Sequence, residues 1–125
     1  MKNRIKLLIG GLTCSLMIGI AVQANISWGG KATPLTHGMM ANSYSKNTND
    51  TSFYRVTADL TFSDPSYNTI YHEPAHNSYV DSSGNANAST GDITVYTNVA
   101  HVSSYHVWYT RSGDDPAEVT YHEYN

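Results

Sequence analysis

His72-Glu73-Pro74-Ala75-His76 spells H-E-x-x-H, the pattern in which two histidines one helical turn apart bind zinc and the glutamate activates water. That chemistry depends on a helix, because only an i, i+4 pair on a helix brings both imidazoles to one face beside the carboxylate. Pro74 stands inside the motif, where it removes a backbone donor and clashes with the preceding turn. It also pushes Glu73 toward extended backbone. The flanks, rich in Asn, Ser and Tyr, supply no amphipathic helix. The expectation is a polar turn between two strands, not a metallopeptidase centre.

Imidazoles on neighbouring strands offer another route to a metal. His72, His76, His101, His106 and His122, with Glu73 or Glu123, could converge on zinc or copper through nitrogen and oxygen ligands. Convergence depends on strand register, which spacing does not fix. Serines, histidines and carboxylates are plentiful, but no G-x-S-x-G elbow marks a nucleophile. No glycine-rich loop precedes a helix to cradle a phosphate. No catalytic residue, metal site or cofactor is therefore assigned, and the expectation is a protein that is not an enzyme.

Aromatic side chains carry the remaining signal. Trp28 sits in a Trp-Gly-Gly context and Trp108 in the run Tyr105-His106-Val107-Trp108-Tyr109. Either ring suits stacking on a sugar, peptide or lipid head group. Trp108 equally suits the core of a small sandwich, since strand residues alternate between faces.

The elements that must position these groups read as strands. From Phe53 to Phe62 the chain alternates so that Tyr54, Val56, Ala58, Leu60 and Phe62 share one face. Ser63-Asp64-Pro65-Ser66 closes it with turn chemistry, and Asp81-Ser82-Ser83-Gly84-Asn85 is the clearest turn in the chain. Asn25 to Asn49 reads as a short strand or irregular arm followed by loop. Thr69 to His72 and Asn77 to Val80 are two short strands separated by Pro74, and the polar stretch to Gly91-Asp92 reads as a loop. Ile93 to Val102 reads as a long strand paired with Tyr105 to Arg111 through a turn at Ser103-Ser104. Ser112 to Pro116 is a further turn before a terminal strand from Glu118 to Tyr124. No segment has a helical period. The expected architecture is all-β, a small single-domain antiparallel β-sandwich of about five to seven strands.

The first residues set where this domain acts. Lys2, Arg4 and Lys6 precede an apolar run from Leu7 to Val22 that ends at Val22-Gln23-Ala24, a small-x-small cleavage site. The run is short for a membrane helix of about 20 apolar residues. Residues 1–24 are thus expected to be a cleaved signal peptide and residues 25–125 a secreted, extracellular domain with no transmembrane anchor. Cys14, the only cysteine, lacks the Leu and small-residue context of a lipid-attachment site, having Gly11 and Thr13 before it. Its removal leaves a cysteine-free chain without disulfides or thiolate chemistry. Cleavage also leaves four basic residues (Lys31, Lys46, Arg55, Arg111) against ten acidic ones, four minus ten, a net charge of −6. That balance disfavours nucleic acid and anionic membrane surfaces as partners.

The layout resembles the lactococcin 972 family of secreted bacteriocins. The resemblance is carried by the signal peptide, Trp28-Gly29-Gly30, a Ser-x-Tyr-Ser-like element at Asn42-Ser43-Tyr44-Ser45, strands at Tyr54 to Leu60 and Ile93 to Val102, and the tyrosine-rich end Val119 to Asn125. It implies a small all-β toxin that acts on a competitor's envelope by binding the cell-wall precursor lipid II. The chain departs from the family pattern in its length, its acidity and the Asp64 to Thr90 region. With Trp108, the residues Trp28 and Tyr44 that the resemblance highlights make the candidate ligand-binding set. The alternatives are a non-toxic extracellular module that binds a sugar or protein, and a His-ligated metal-binding protein.

Overall fold

The computed structural model describes residues 25–111 and 116–124. The expected signal peptide with Cys14, and most of the turn at residues 112–116, lie outside the described residues. The strands are β1 (Ile26–Leu35), β2 (Gly38–Asn47), β3 (Phe53–Ser63), β4 (Thr69–Tyr79), β5 (Ala86–Ser89), β6 (Ile93–Val95), β7 (His101–Thr110) and β8 (Pro116–Tyr124). They form two antiparallel four-stranded sheets, and no helix occurs among the described residues. In the first sheet β2 pairs with β1 along one edge and with β5 and then β6 along the other; the second has the order β4-β3-β7-β8. The chain is an all-β sandwich, as its alternation predicts, with more strands than expected.

Strand β3 is central to the second sheet, and its alternation sets the core. Val56, Ala58, Leu60 and Phe62 are all fully buried. Tyr54 leaves that face because the register slips between Phe53 and Arg55, and Phe53 is buried in its place. The apolar core falls into two clusters. One joins Ile26, Phe53, Val56, Ala58, Ala86, Ala88 and Trp108; the other joins Ala41, Leu60, Phe62, Val102 and Tyr124.

Between the two clusters the interior is polar and hydrogen-bonded. Ser43 Oγ donates to the Asp59 carbonyl and Ser45 Oγ to the Thr57 carbonyl, each at 2.6 Å. Ser45 Oγ lies 2.9 Å from His106 Nδ1, Ser104 Oγ lies 2.7 Å from His106 Nε2, and the Tyr124 hydroxyl lies 3.0 Å from Ser104 Oγ. Since the Ser45 proton is committed to Thr57, its oxygen accepts from His106 Nδ1–H. Nε2 then accepts from Ser104, whose oxygen accepts from Tyr124. One neutral tautomer satisfies the whole chain of buried groups.

Four elements differ from the sequence reading. The supposed arm from Asn25 to Asn49 is a hairpin of two ten-residue strands around Thr36-His37. Its apolar signal is weak because β2 buries serines, Ser43 and Ser45, that the opposite sheet satisfies. The stretch before Gly91 contains β5, whose small Ala86 and Ala88 face the core. The long strand from Ile93 ends at Val95, and the chain crosses to the second sheet, where Ala100 N–H donates to the Ser63 carbonyl at 2.8 Å. Ser103-Ser104 is therefore no turn but the middle of β7, with Ser104 buried. Finally, β4 runs unbroken through Pro74. It is an edge strand, so the missing donor costs no ladder bond, and Asp59 faces both Pro74 and Ala75 in a bulge between the pairs Ala58–His76 and Leu60–Glu73.

Both closing turns follow their side-chain chemistry. Asp64 Oδ1 accepts from the Ser66 and Asn68 N–H groups, and Asp81 Oδ1 from those of Ser83 and Asn85.

Candidate functional site

The glycines after Trp28 are explained by what lies against them. A Cβ on Gly30 would stand 2.0 Å from the Tyr124 hydroxyl oxygen and 2.2 Å from the Asn42 carbonyl oxygen. Gly30 therefore leaves room for the last core tyrosine. Gly29 is the cross-strand partner of Tyr44, and a Cβ there would meet the Tyr44 ring at 3.1 Å. The ring thus lies down over bare backbone on the outer face of the first sheet.

Around Tyr44 is an open depression of about 560 Å³. Register places Ser27, Lys46 and Asn87 in one row across β1, β2 and β5, and Gly29, Tyr44 and Ser89 in the next. Asn42 and Asp92 close the far side, joined by Asn42 Nδ2 donating to Asp92 Oδ1 at 2.6 Å. Tyr44 and Lys46 are both solvent-exposed.

The three candidate ligand-binding residues do not form one site. Tyr44 faces outward, whereas Trp28 points inward from edge strand β1 and meets Trp108 edge to face, with centroids 6.2 Å apart at 74°. Trp108 is fully buried, and its indole N–H donates to the Lys46 carbonyl at 3.3 Å. Its assignment as a ligand platform is corrected: the ring is a core residue, because even-numbered positions of β7 face the first sheet. Trp28 is 37% exposed and caps the open edge above it.

Of the five candidate histidines, His106 and His122 are neighbours, with ring centroids 6.3 Å apart, and the others are dispersed. His72 Nδ1 pairs with Thr61 Oγ1 at 2.9 Å on the outer face of the second sheet, while His76 Nε2 meets Glu73 Oε2 at 2.7 Å. The bulge at Pro74 puts these imidazoles opposite residues on different faces of β3, Thr61 and Ala58. His101 stacks on Tyr67 at 3.8 Å, and His106 is sealed in the interior. Among the described residues no three His, Cys, Asp or Glu side chains group to hold a metal ion.

Electrostatics separate interior from surface. Burial, aided by the charge of His122, pushes the His106 imidazole down to about 3, and burial also lowers His122. Burial raises the Tyr124 hydroxyl to about 12. The neighbouring Ser104 and His106 resemble a nucleophile and base, but both are inaccessible from solvent. On the outer face of the second sheet Asp59 is raised by burial and accepts the Tyr105 N–H at 2.7 Å. Nearby, Tyr105 and Tyr121 pack at 5.1 Å and the Arg55 guanidinium sits 4.0 Å above the Tyr109 ring.

Sequence reasoning reached Tyr44 but missed Ser27, Asn42, Lys46, Asn87 and Asp92 around it. Period-two alternation links Asn42, Tyr44 and Lys46; joining them to Asn87 and Asp92 needs the β2–β5 pairing.

No protein-family model matches the chain, and comparison with curated proteins finds no match. Among solved structures it is similar to a penta-heme cytochrome c552 from Thermochromatium tepidum, at 10% identity and a TM-score of 0.52. The match covers 83% of this chain and 40% of that one. At this identity the likeness shows the fold alone. Covalent c-type haem attachment uses Cys-x-x-Cys-His, which this single-cysteine sequence does not contain.

Proposed function

We propose that the protein is a secreted, bacteriocin-like β-sandwich that acts by binding a component of a competing bacterium's envelope, without catalysing a reaction. The Tyr44 depression carries this reading. It is open to solvent, large enough for a small ligand, and sets one exposed ring among polar side chains, a lining suited to a polar, hydroxyl-bearing ligand and not to an apolar one. The hydrogen-bonded Ser–His contacts among the described residues, Ser45 and Ser104 on either side of His106, are sealed inside the core, which favours binding over hydrolysis. The resemblance to lactococcin 972 bacteriocins supports the envelope, and lipid II within it, as the place of action.

Growth inhibition by the purified protein tests the proposal. Inhibition of some Gram-positive strains is expected, with Tyr44→Ala reducing potency at unchanged thermal stability. Absence of inhibition across a broad panel sinks the toxin reading, and retained binding to isolated cell envelopes would then point to a non-toxic binding module.

A further inference from the structure

The surroundings of Tyr44 narrow the chemistry of a ligand, resting on the reading that this face binds. The phenol ring is laid over Gly29 instead of standing off the sheet, so it offers a face, and a ring face carries the negative part of the aromatic quadrupole. The C–H groups of a pyranose are the polarised partners that such a face attracts. The rim is built from short amides and hydroxyls, Asn87, Ser27 and Ser89, each able to donate and accept. An apolar ligand would strip those groups of water without replacing its hydrogen bonds, whereas sugar hydroxyls replace them.

Charge adds a further restriction. Lys46 takes part in no ion pair among the described residues. Asp92, the acidic group across the depression, already has one oxygen engaged by Asn42. Lys31, the cross-strand partner of Asn42, stands on the same face. Two of the four basic residues beyond position 24 therefore share this surface, in a chain segment whose net charge is −6. An acidic ligand is repelled by the molecule at large and attracted here.

We infer that the Tyr44 depression binds a saccharide carrying a carboxylate, its ring stacked on Tyr44, its hydroxyls on Asn87 and the serines, and its acid group against Lys46. The test is a titration of the purified protein with a galacturonic acid oligosaccharide and, in parallel, with uncharged N,N′,N″-triacetylchitotriose, followed by calorimetry and by amide NMR shifts. The acidic sugar should bind about tenfold or more tightly than the neutral one, a difference of about 1.4 kcal/mol. The shifts should centre on Tyr44, Asn87 and Ser89, and binding should weaken as salt rises. Lys46→Ala should remove the preference and Tyr44→Ala the binding, both with unchanged unfolding curves because these side chains are exposed.

Equal affinity for the two sugars, shifts elsewhere on the protein, or no binding of the acidic sugar overturns the inference. Growth inhibition measured on the same preparations separates the two readings. Inhibition without saccharide binding sinks this site and leaves the toxin reading standing; saccharide binding without inhibition does the reverse.

Discussion

Acidification should weaken the fold through His106, by an amount that follows from its burial. The imidazole titrates at 6.5 in an open chain and at about 3 in the folded protein. Between those values the unfolded chain takes up a proton that the folded chain refuses. The stabilisation is complete above 6.5, falls as pH drops through that window, and is gone below about 3. The slope is about 1.4 kcal/mol per pH unit, so about 3 kcal/mol is lost at pH 4.5 relative to pH 7, and about 5 kcal/mol over the whole window. A domain of this size has roughly 5–15 kcal/mol in total.

Neighbouring groups modify this trend in known directions. His122, also lowered by burial, adds to it. Asp59, raised by burial, opposes it, because its folded form accepts a proton first. Glu73, lowered by hydrogen bonds from Tyr71 and His76, contributes only as pH falls through the carboxylate range. Urea unfolding at half-unit steps from pH 7.5 to 4.5 measures the slope in the native protein and in His106→Gln, which keeps a polar side chain without the titration. NMR of the His106 ring in the native protein should show it neutral at pH 4.5. A slope that His106→Gln leaves unchanged, or a His106 ring charged at pH 5, would refute the argument.

Trp108→Ala should cost about 3–5 kcal/mol in urea unfolding, since a fully buried indole is replaced by a cavity under Trp28. Gly30→Ala should destabilise by about 1–3 kcal/mol, because the new methyl meets a backbone carbonyl that cannot yield. Gly29→Ala meets only the movable Tyr44 ring and should leave the thermal midpoint nearly unchanged while weakening any ligand stacked on that ring. Ser104→Ala should cost about 1–3 kcal/mol in the same unfolding assay by leaving His106 Nε2 and the Tyr124 hydroxyl without their shared partner.

The sequence by itself determined the class of structure. Alternation across β3 announces which residues it buries, and Asp64 and Asp81 announce turns, because both signals act between residues close in the chain. The same local reasoning disqualified His72 to His76 as a helical zinc site, and the strand through Pro74 agrees. Only the tertiary structure decided what partners do. Ser43 and Ser45 read as polar loop residues until the facing sheet supplies the carbonyls and the imidazole that satisfy them, and Ser104 reads as a turn residue until its own sheet supplies His106 and Tyr124. Trp28, Tyr44 and Trp108 look equivalent as aromatic candidates until register buries Trp108, sets Trp28 half-exposed over its edge, and turns Tyr44 to the outer face of the first sheet. The depression around Tyr44 exists because β5 pairs with β2 across 39 to 45 residues of chain, and a separation of that length leaves no periodic trace in the sequence.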